Sequence, residues 1–251
     1  MKYRPAVLVL FAALLAGGAA EAETFSVRWS PSLGLQSLDD IDRRVEQPLW
    51  DDIGITVAFR WRFTSAGQAL EPIDPEPMIS CADHWRLADT VYQTASQSDH
   101  NHLANFAATC AALAALRHAQ PSRESYVGDF RLDAAAADFL PAALAIAIGP
   151  WQQRDIDEAG AHALPWRQWR AGKSSDLISV RSNGDEAVLY EWTRGKSRVE
   201  ILGGGDFNED AVEDLLLIIT EWPGYAHFAK AKMILVTRYY PDVVMHAFEI
   251  N

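Results

Sequence analysis

Residues 205–220 read GDFNEDAVEDLLLIIT, in which five carboxylates and an asparagine separate a glycine run from an unbroken apolar segment. A strand with one wet face alternates apolar with polar side chains, and a strand covered on both faces does not. Asp214–Thr220 (DLLLIIT) therefore predicts a central strand with protein packed above and below it. Around it, SDLISVR, EAVLYEW, SRVEIL, PGYAHF, KMILVTRYY and VVMHAFEI are strand-like and are divided by the turn signals SNGD, TRGK and PD. Residues 174–251 thus predict an antiparallel meander with an acidic loop at its centre.

Upstream, residues 80–149 change character. Ser80 to about Gln97 and Asn101 to Ala119 are rich in Ala and Leu at helical spacing, and the polar joint SQSDHN predicts the turn of a helical hairpin. The midpoint of Cys81 and Cys110 falls near Ser96, so antiparallel helices folding there bring the two cysteines to similar heights. With only two cysteines in the chain, one pairing exists. LDAAAADFLPAALAIAIG predicts a further apolar helix interrupted at Pro141, and GPWQQRDIDEAGAHALPWRQW a connector pinned by its tryptophans. In residues 23–79, TFSVRW and ITVAFRWRF predict strands, SLDDIDRRVEQPLW a short helix entered at Ser37, and EPIDPEP a break. The fold class expected is α+β: a mainly antiparallel C-terminal sheet, with the N-terminal strands free to join it and a central disulfide-linked helical hairpin packed on one side.

MKYRPAVLVLFAALLAGGAAEA has the form of a secretory signal, with Lys2 and Arg4 before a short apolar core and small residues before a cleavage point at Glu23. Its apolar run is too short for a stable membrane span, so a periplasmic or secreted protein of one domain, residues 23–251, is expected. The full chain carries 22 Lys and Arg against 34 Asp and Glu, net −12. Losing Lys2, Arg4 and Glu21 with the leader leaves 20 against 33, net −13. Such a surface disfavours nucleic acid and favours cations or a basic protein partner.

Numbered from Asp206, the acidic loop places side-chain oxygens at positions 1, 3, 5 and 9, which are Asp206, Asn208, Asp210 and Asp214; at position 7, Val212 offers its carbonyl. Alternating oxygen donors in a tightly turning segment suit a hard cation such as calcium. The competing reading is a polar surface turn, where Asp, Asn and Glu are common. Leu217 and Ala211 stand where an EF-hand needs Glu and Gly. GDFNEDAVEDL does resemble the calcium loop of FG-GAP or VCBS-type repeats, GDFNGDGxxDL, over eleven residues. That resemblance implies Asp206, Asn208, Asp210 and Asp214 as side-chain ligands of a structural Ca²⁺, with Glu209 and Ala211 replacing two inner glycines. A single loop implies no propeller.

Other motifs dissolve on inspection. Gly172-Lys173-Ser174 and Gly195-Lys196-Ser197 lack the earlier glycine of a phosphate loop. His100 and His102 diverge if helical, and Arg60-Trp61-Arg62-Phe63 sends arginines and aromatics to opposite strand faces. No linear catalytic motif is present. An exported acidic protein with one such loop resembles small periplasmic immunity or inhibitor proteins, which implies a non-enzymatic chain binding a basic secreted toxin or cell-wall hydrolase. A periplasmic hydrolase with scattered Asp, Glu and His, or an envelope structural protein, are the alternatives.

Overall fold

The computed structural model describes residues 24–50, 55–63, 70–73, 77–87, 90–94, 96–182, 186–224 and 228–248, with only the backbone for 56–63, 70–73 and 90–93. The leader over 1–22, the tip of SNGD, the middle of PGYAHF and the side chains of Arg60–Phe63 lie outside this description. In chain order the elements are β1 (Arg28–Trp29), α1 (Ile41–Glu46), β2 (Ile55–Phe63), β3 (Leu70–Ile73), β4 (Pro77–Met78), α2 (Cys81–Arg86), β5 (Thr90–Thr94) and α3 (Gln97–Leu116). Then come α4 (Pro150–Ala161), α5 (Trp166–Gly172), β6 (Leu177–Ser182), β7 (Ala187–Trp192), β8 (Gly195–Gly205), β9 (Asp214–Pro223), β10 (Lys230–Thr237) and β11 (His246–Phe248).

The meander forms as expected. Strands β6 to β11 lie in sequential order, all neighbours antiparallel, with β9 between β8 and β10. The N-terminus does join this sheet: β1 pairs with Gly203 and Gly204 of β8, beyond the last residue that β7 covers. This close approach needs glycine. A Cβ on Gly203 would stand 2.9 Å from the Arg28 carbonyl oxygen, and one on Gly204 would stand 2.8 Å from the Glu213 carboxylate. The remaining N-terminal strands form a separate four-stranded sheet, with β2 pairing β3, β4 and β5.

Each face of the main sheet carries its own core. Leu215, Leu217 and Ile219 of β9 pack with Trp166, Leu140, Leu144 and Ile156 on one side. Leu216 and Ile218 pack with Phe106, Leu113 and Leu116 of α3 and with Ile41 and Val45 of α1 on the other. The first five apolar residues of β9 are all buried, each contributing about 1.5–3 kcal/mol relative to exposure. The disulfide-linked helices cover one face, as expected. The opposite layer comes from residues 127–172.

Four local expectations change. Only Cys81–Arg86 of the first hairpin arm is helical, started by a capping box in which Ser80 and Asp83 exchange hydrogen bonds of 3.1 Å. The β-branched and aromatic run Thr90-Val91-Tyr92 then favours a strand and pairs with β2. SQSDHN is the first turn of α3 rather than a joint, with Ser96 capping the Asp99 N–H at 3.0 Å. The long apolar helix across Pro141 is instead two 3₁₀ turns, Ala136–Asp138 and Ala142–Leu144, with Pro141 extended between them. Conversely, the expected connector is helical. Pro150 occupies the first turn of α4 and Pro165 precedes α5, positions where a missing N–H costs no helical hydrogen bond.

Cys81 and Cys110 form the expected disulfide, with Cα atoms 5.4 Å apart. No helix among the described residues is long and apolar enough to cross a membrane. The bridge closes 29 residues of sequence separation, which in the chain-entropy model stabilises by about 3–4 kcal/mol. Denaturant unfolding of the C81S/C110S variant is expected to show a loss of that size, checked against the oxidised parent.

Candidate functional site

The acidic loop spans residues 206–213, between the paired positions Gly205 and Asp214 that close β8 and β9. Its path is built by chained side-chain turns. Asp206 Oδ1 accepts the Asn208 N–H at 3.3 Å, Asn208 Oδ1 the Asp210 N–H at 3.0 Å, and Asp210 Oδ1 the Val212 N–H at 2.8 Å. Each oxygen that mimics a backbone carbonyl bends the chain by one turn. Asp206 also accepts the N–H groups of Glu209 at 2.7 Å and Ala211 at 2.8 Å. Alternation of donors in the sequence is thus alternation of turns in space.

Glu209 and Ala211 have φ of 65° and 69°. These are the two positions where the resembling loop pattern has glycine. Left-handed backbone costs a non-glycine residue about 1–2 kcal/mol, and here the hydrogen bonds converging on Asp206 hold it in place.

Asp214 is fully buried. Its carboxyl is pushed up to about 7 by burial, against the hydrogen bonds from the Thr237 hydroxyl and the Phe207 N–H, with the Asp210 and Asp206 charges adding to the rise. Burial dominates because desolvation penalises the charged form of an acid. The Val212 carbonyl accepts no hydrogen bond among the described residues. Also among them, no three His, Cys, Asp or Glu side chains stand close enough to hold a metal ion by themselves. Asp206, Asp210 and Asp214 are therefore engaged with N–H and O–H donors of the protein, and Asn208 and the Val212 carbonyl are needed to complete any oxygen cage.

The loop is also a clamp. Gln120 and Asp206 form a two-bond bridge of 2.9 and 2.8 Å, Ala211 O accepts the N–H of Arg123 at 2.8 Å, and Glu124 O accepts the N–H of Glu213 at 2.8 Å. Buried Glu213 receives Arg28 Nε at 2.9 Å and the Ser125 hydroxyl. The chain after α3 and the N-terminal strand are both fastened to the sheet here.

Outside the clamp lies a patch of tyrosines and acids. Tyr239 donates to Asp210 at 2.9 Å, Tyr126 to Glu124 at 3.0 Å, and the rings of Tyr126 and Tyr240 stand 6.3 Å apart. Tyr240 is 67% exposed, and Glu124, Glu209 and Asp242 are exposed. Tyr239 and Tyr240 are neighbours in the sequence, whereas Tyr126 has no linear signal because α3 and the 120–125 bridge bring it there. His100 and His102 lie in the first two turns of α3, with His102 against Trp50 at 6.4 Å between ring centroids.

Asp206→Ala is expected to cost about 3 kcal/mol in equilibrium unfolding, since three N–H groups lose a charged acceptor, with Asp206→Asn intermediate. Glu209→Gly and Ala211→Gly are each expected to raise stability by about 0.5–1 kcal/mol, because relief of left-handed strain exceeds the entropic cost of glycine. No family model, curated protein or solved structure matches the chain, and the likeness to the FG-GAP or VCBS-type calcium loop rests on its eleven residues alone.

Proposed function

We propose that the chain is an exported, non-enzymatic binding protein that presents its tyrosine and acid patch to a basic protein, with the loop beneath braced by calcium. The observation that carries this reading is the juxtaposition of Tyr126, Tyr239 and Tyr240 with Glu124, Glu209 and Asp210 on one surface. Tyrosine offers a large amphipathic contact at low entropic cost, and a chain of net −12 steers basic partners toward such a patch. A basic secreted toxin or cell-wall hydrolase is the partner class of that chemistry, as for an immunity or inhibitor protein. The hydrolase alternative gains nothing from the cavities: Glu221 and Asp155, which line one of them, are ion-paired with Arg170 and Lys173, and Glu200 in a second is paired with Arg198.

Calcium would be held by Asp206, Asn208, Asp210 and Asp214 and the Val212 carbonyl, after the carboxylates turn from their present N–H partners. The left-handed residues 209 and 211 support this reading because they give the backbone the shape that the resembling loop reaches with glycine. The ion's role would be structural: it would relieve the carboxylate crowding inside, leaving Glu124, Glu209 and Asp242 to keep the rim acidic.

Thermal melts should rise on adding Ca²⁺ and fall back with a chelator. Exported sites bind at about 10⁻⁴–10⁻³ M, and a tenfold excess over Kd stabilises by about 1.4 kcal/mol. Absence of any shift, or a shift that survives Asp210→Ala with Asn208→Ala, removes calcium from the picture. For the partner, immobilised protein is expected to retain a basic protein from periplasmic extract in a salt-sensitive manner, with retention lost in Tyr240→Ala and Glu209→Lys. Retention unaffected by both substitutions, or no retention, rejects the patch as a binding surface.

A further inference from the structure

The opposite end of the sheet holds a second candidate site, unrelated to the acidic loop. A cavity of about 240 Å³ lies between α4, α5 and the turn joining β7 to β8. Its β-sheet wall includes Gly195, Lys196, Trp222 and Pro223, and β8 and β9 run from there to the acidic loop at their other end. Ten residues of strand separate the two places by about 30 Å.

The charge of this cavity runs against that of the chain. Arg170, Lys173, Arg194 and Lys196 line it, with only Asp155 and Glu221 as acids. Glu221 is consumed by Arg170, which also lies over the rings of Trp166 and Trp192 at 5.0 and 4.8 Å. Asp155 is consumed by Lys173 at 2.7 Å. Lys196 shares Glu191 with Arg181, and Arg194 has no ion-pair partner among the described residues. Two exposed cations at the rim are thus left with less than one carboxylate between them, on a protein of net −12.

Behind this rim the wall holds buried donors. Trp169, Arg170 and Ser175 line the cavity, are each more than nine-tenths buried, and carry polar atoms without a hydrogen-bond partner: Trp169 Nε1, Arg170 Nε and Ser175 Oγ. These three atoms are sealed inside the cavity wall, so the cations that a molecule in the cavity meets directly are the exposed Arg194 and Lys196 at its rim. Arginine and lysine side chains donate only, and the complement of this rim is an oxygen-rich anion. The remaining wall is apolar and aromatic, with Trp151 62% exposed at the mouth beside Ile148.

We propose that this cavity binds a small organic anion: one carboxylate on an aromatic or aliphatic body, the carboxylate meeting Arg194 and Lys196, and the body lying against Trp151 and Ile148. The volume is below the roughly 300–1,000 Å³ of sites for drug-sized ligands, which fits one ring or a short chain with its acid group. The same carboxylate could belong to a free acid or to the C-terminal residue of a peptide, and the two are separated in the test.

Phenylacetate is the probe, titrated into the full chain by calorimetry and followed by the indole N–H resonances in a ¹H–¹⁵N spectrum, with Trp169→Phe identifying the Trp169 signal. Saturable binding that shifts the Trp169 resonance is expected, at least about tenfold tighter than phenylacetamide, the value of one charge-assisted contact. Arg194→Glu with Lys196→Glu, both at exposed positions, should weaken it at least about tenfold with the melting profile kept. Trp151→Ala is a second exposed variant that should weaken it through the body alone. N-acetylphenylalanine as the peptide-end probe, binding more tightly than phenylacetate, would assign the source to a peptide terminus; the reverse order would assign it to a free acid. Equal binding of phenylacetamide, equal competition by inorganic phosphate, indifference to both sets of variants, or no binding at all overturns the proposal.

Discussion

Coverage of β9 on both faces is the constraint that the rest of the fold obeys. Leu215, Leu217 and Ile219 point into one core and Leu216 and Ile218 into the other, so neither face of the strand can be left to water. An antiparallel meander by itself satisfies the backbone hydrogen bonds but covers neither face. One layer is α1 with the disulfide-linked helices α2 and α3; the other is the segment from Val127 to Trp169, with its short 3₁₀ turns, α4 and α5. That second layer has little regular helix until Pro150, yet it buries Leu140, Leu144, Ile156 and Trp166 almost completely. Packing, not helical propensity, holds it.

The acidic loop solves a problem that this central strand creates. A strand buried from its first residue must be entered by a chain that is still wet, and the polar atoms at the junction need partners. Asp214 is buried and accepts from the Phe207 N–H and the Thr237 hydroxyl, Glu213 is buried and accepts from Arg28 and Ser125, and Asp206 gathers three loop N–H groups. The junction therefore ties three distant pieces of chain together: the N-terminal strand, the segment after α3 and the tip of β10. Its outer surface is free to carry the tyrosines. The two ends of the β8 and β9 pair then have opposite electrostatic character, an acidic rim at residues 205–214 and a cationic cavity at 195 and 223.

Reading the chain without coordinates locates much of this. The meander, the double burial of DLLLIIT, the short helix after Ser37, the pairing of Cys81 with Cys110 and the donor order of the loop all follow from period, turn residues and composition. The misread stretches share a cause. Thr90–Thr94 lies beside alanine-rich helical sequence, but its β-branched and aromatic residues pair with β2; residues 132–149 are apolar enough for a helix, but Pro141 divides them and they pack as turns.

By itself, the sequence determined which segments are buried, which are strands of one antiparallel sheet and where carboxylates alternate, because these depend on residues within a few positions of one another. Only the tertiary structure decided that residues 127–172 form the second covering layer, that Tyr126 joins Tyr239 and Tyr240, and that Trp169, Arg170 and Ser175 meet Arg194 and Lys196 at one cavity. Those outcomes depend on contacts between residues far apart in the chain, set by how two layers pack onto one strand, and no local pattern encodes such a meeting.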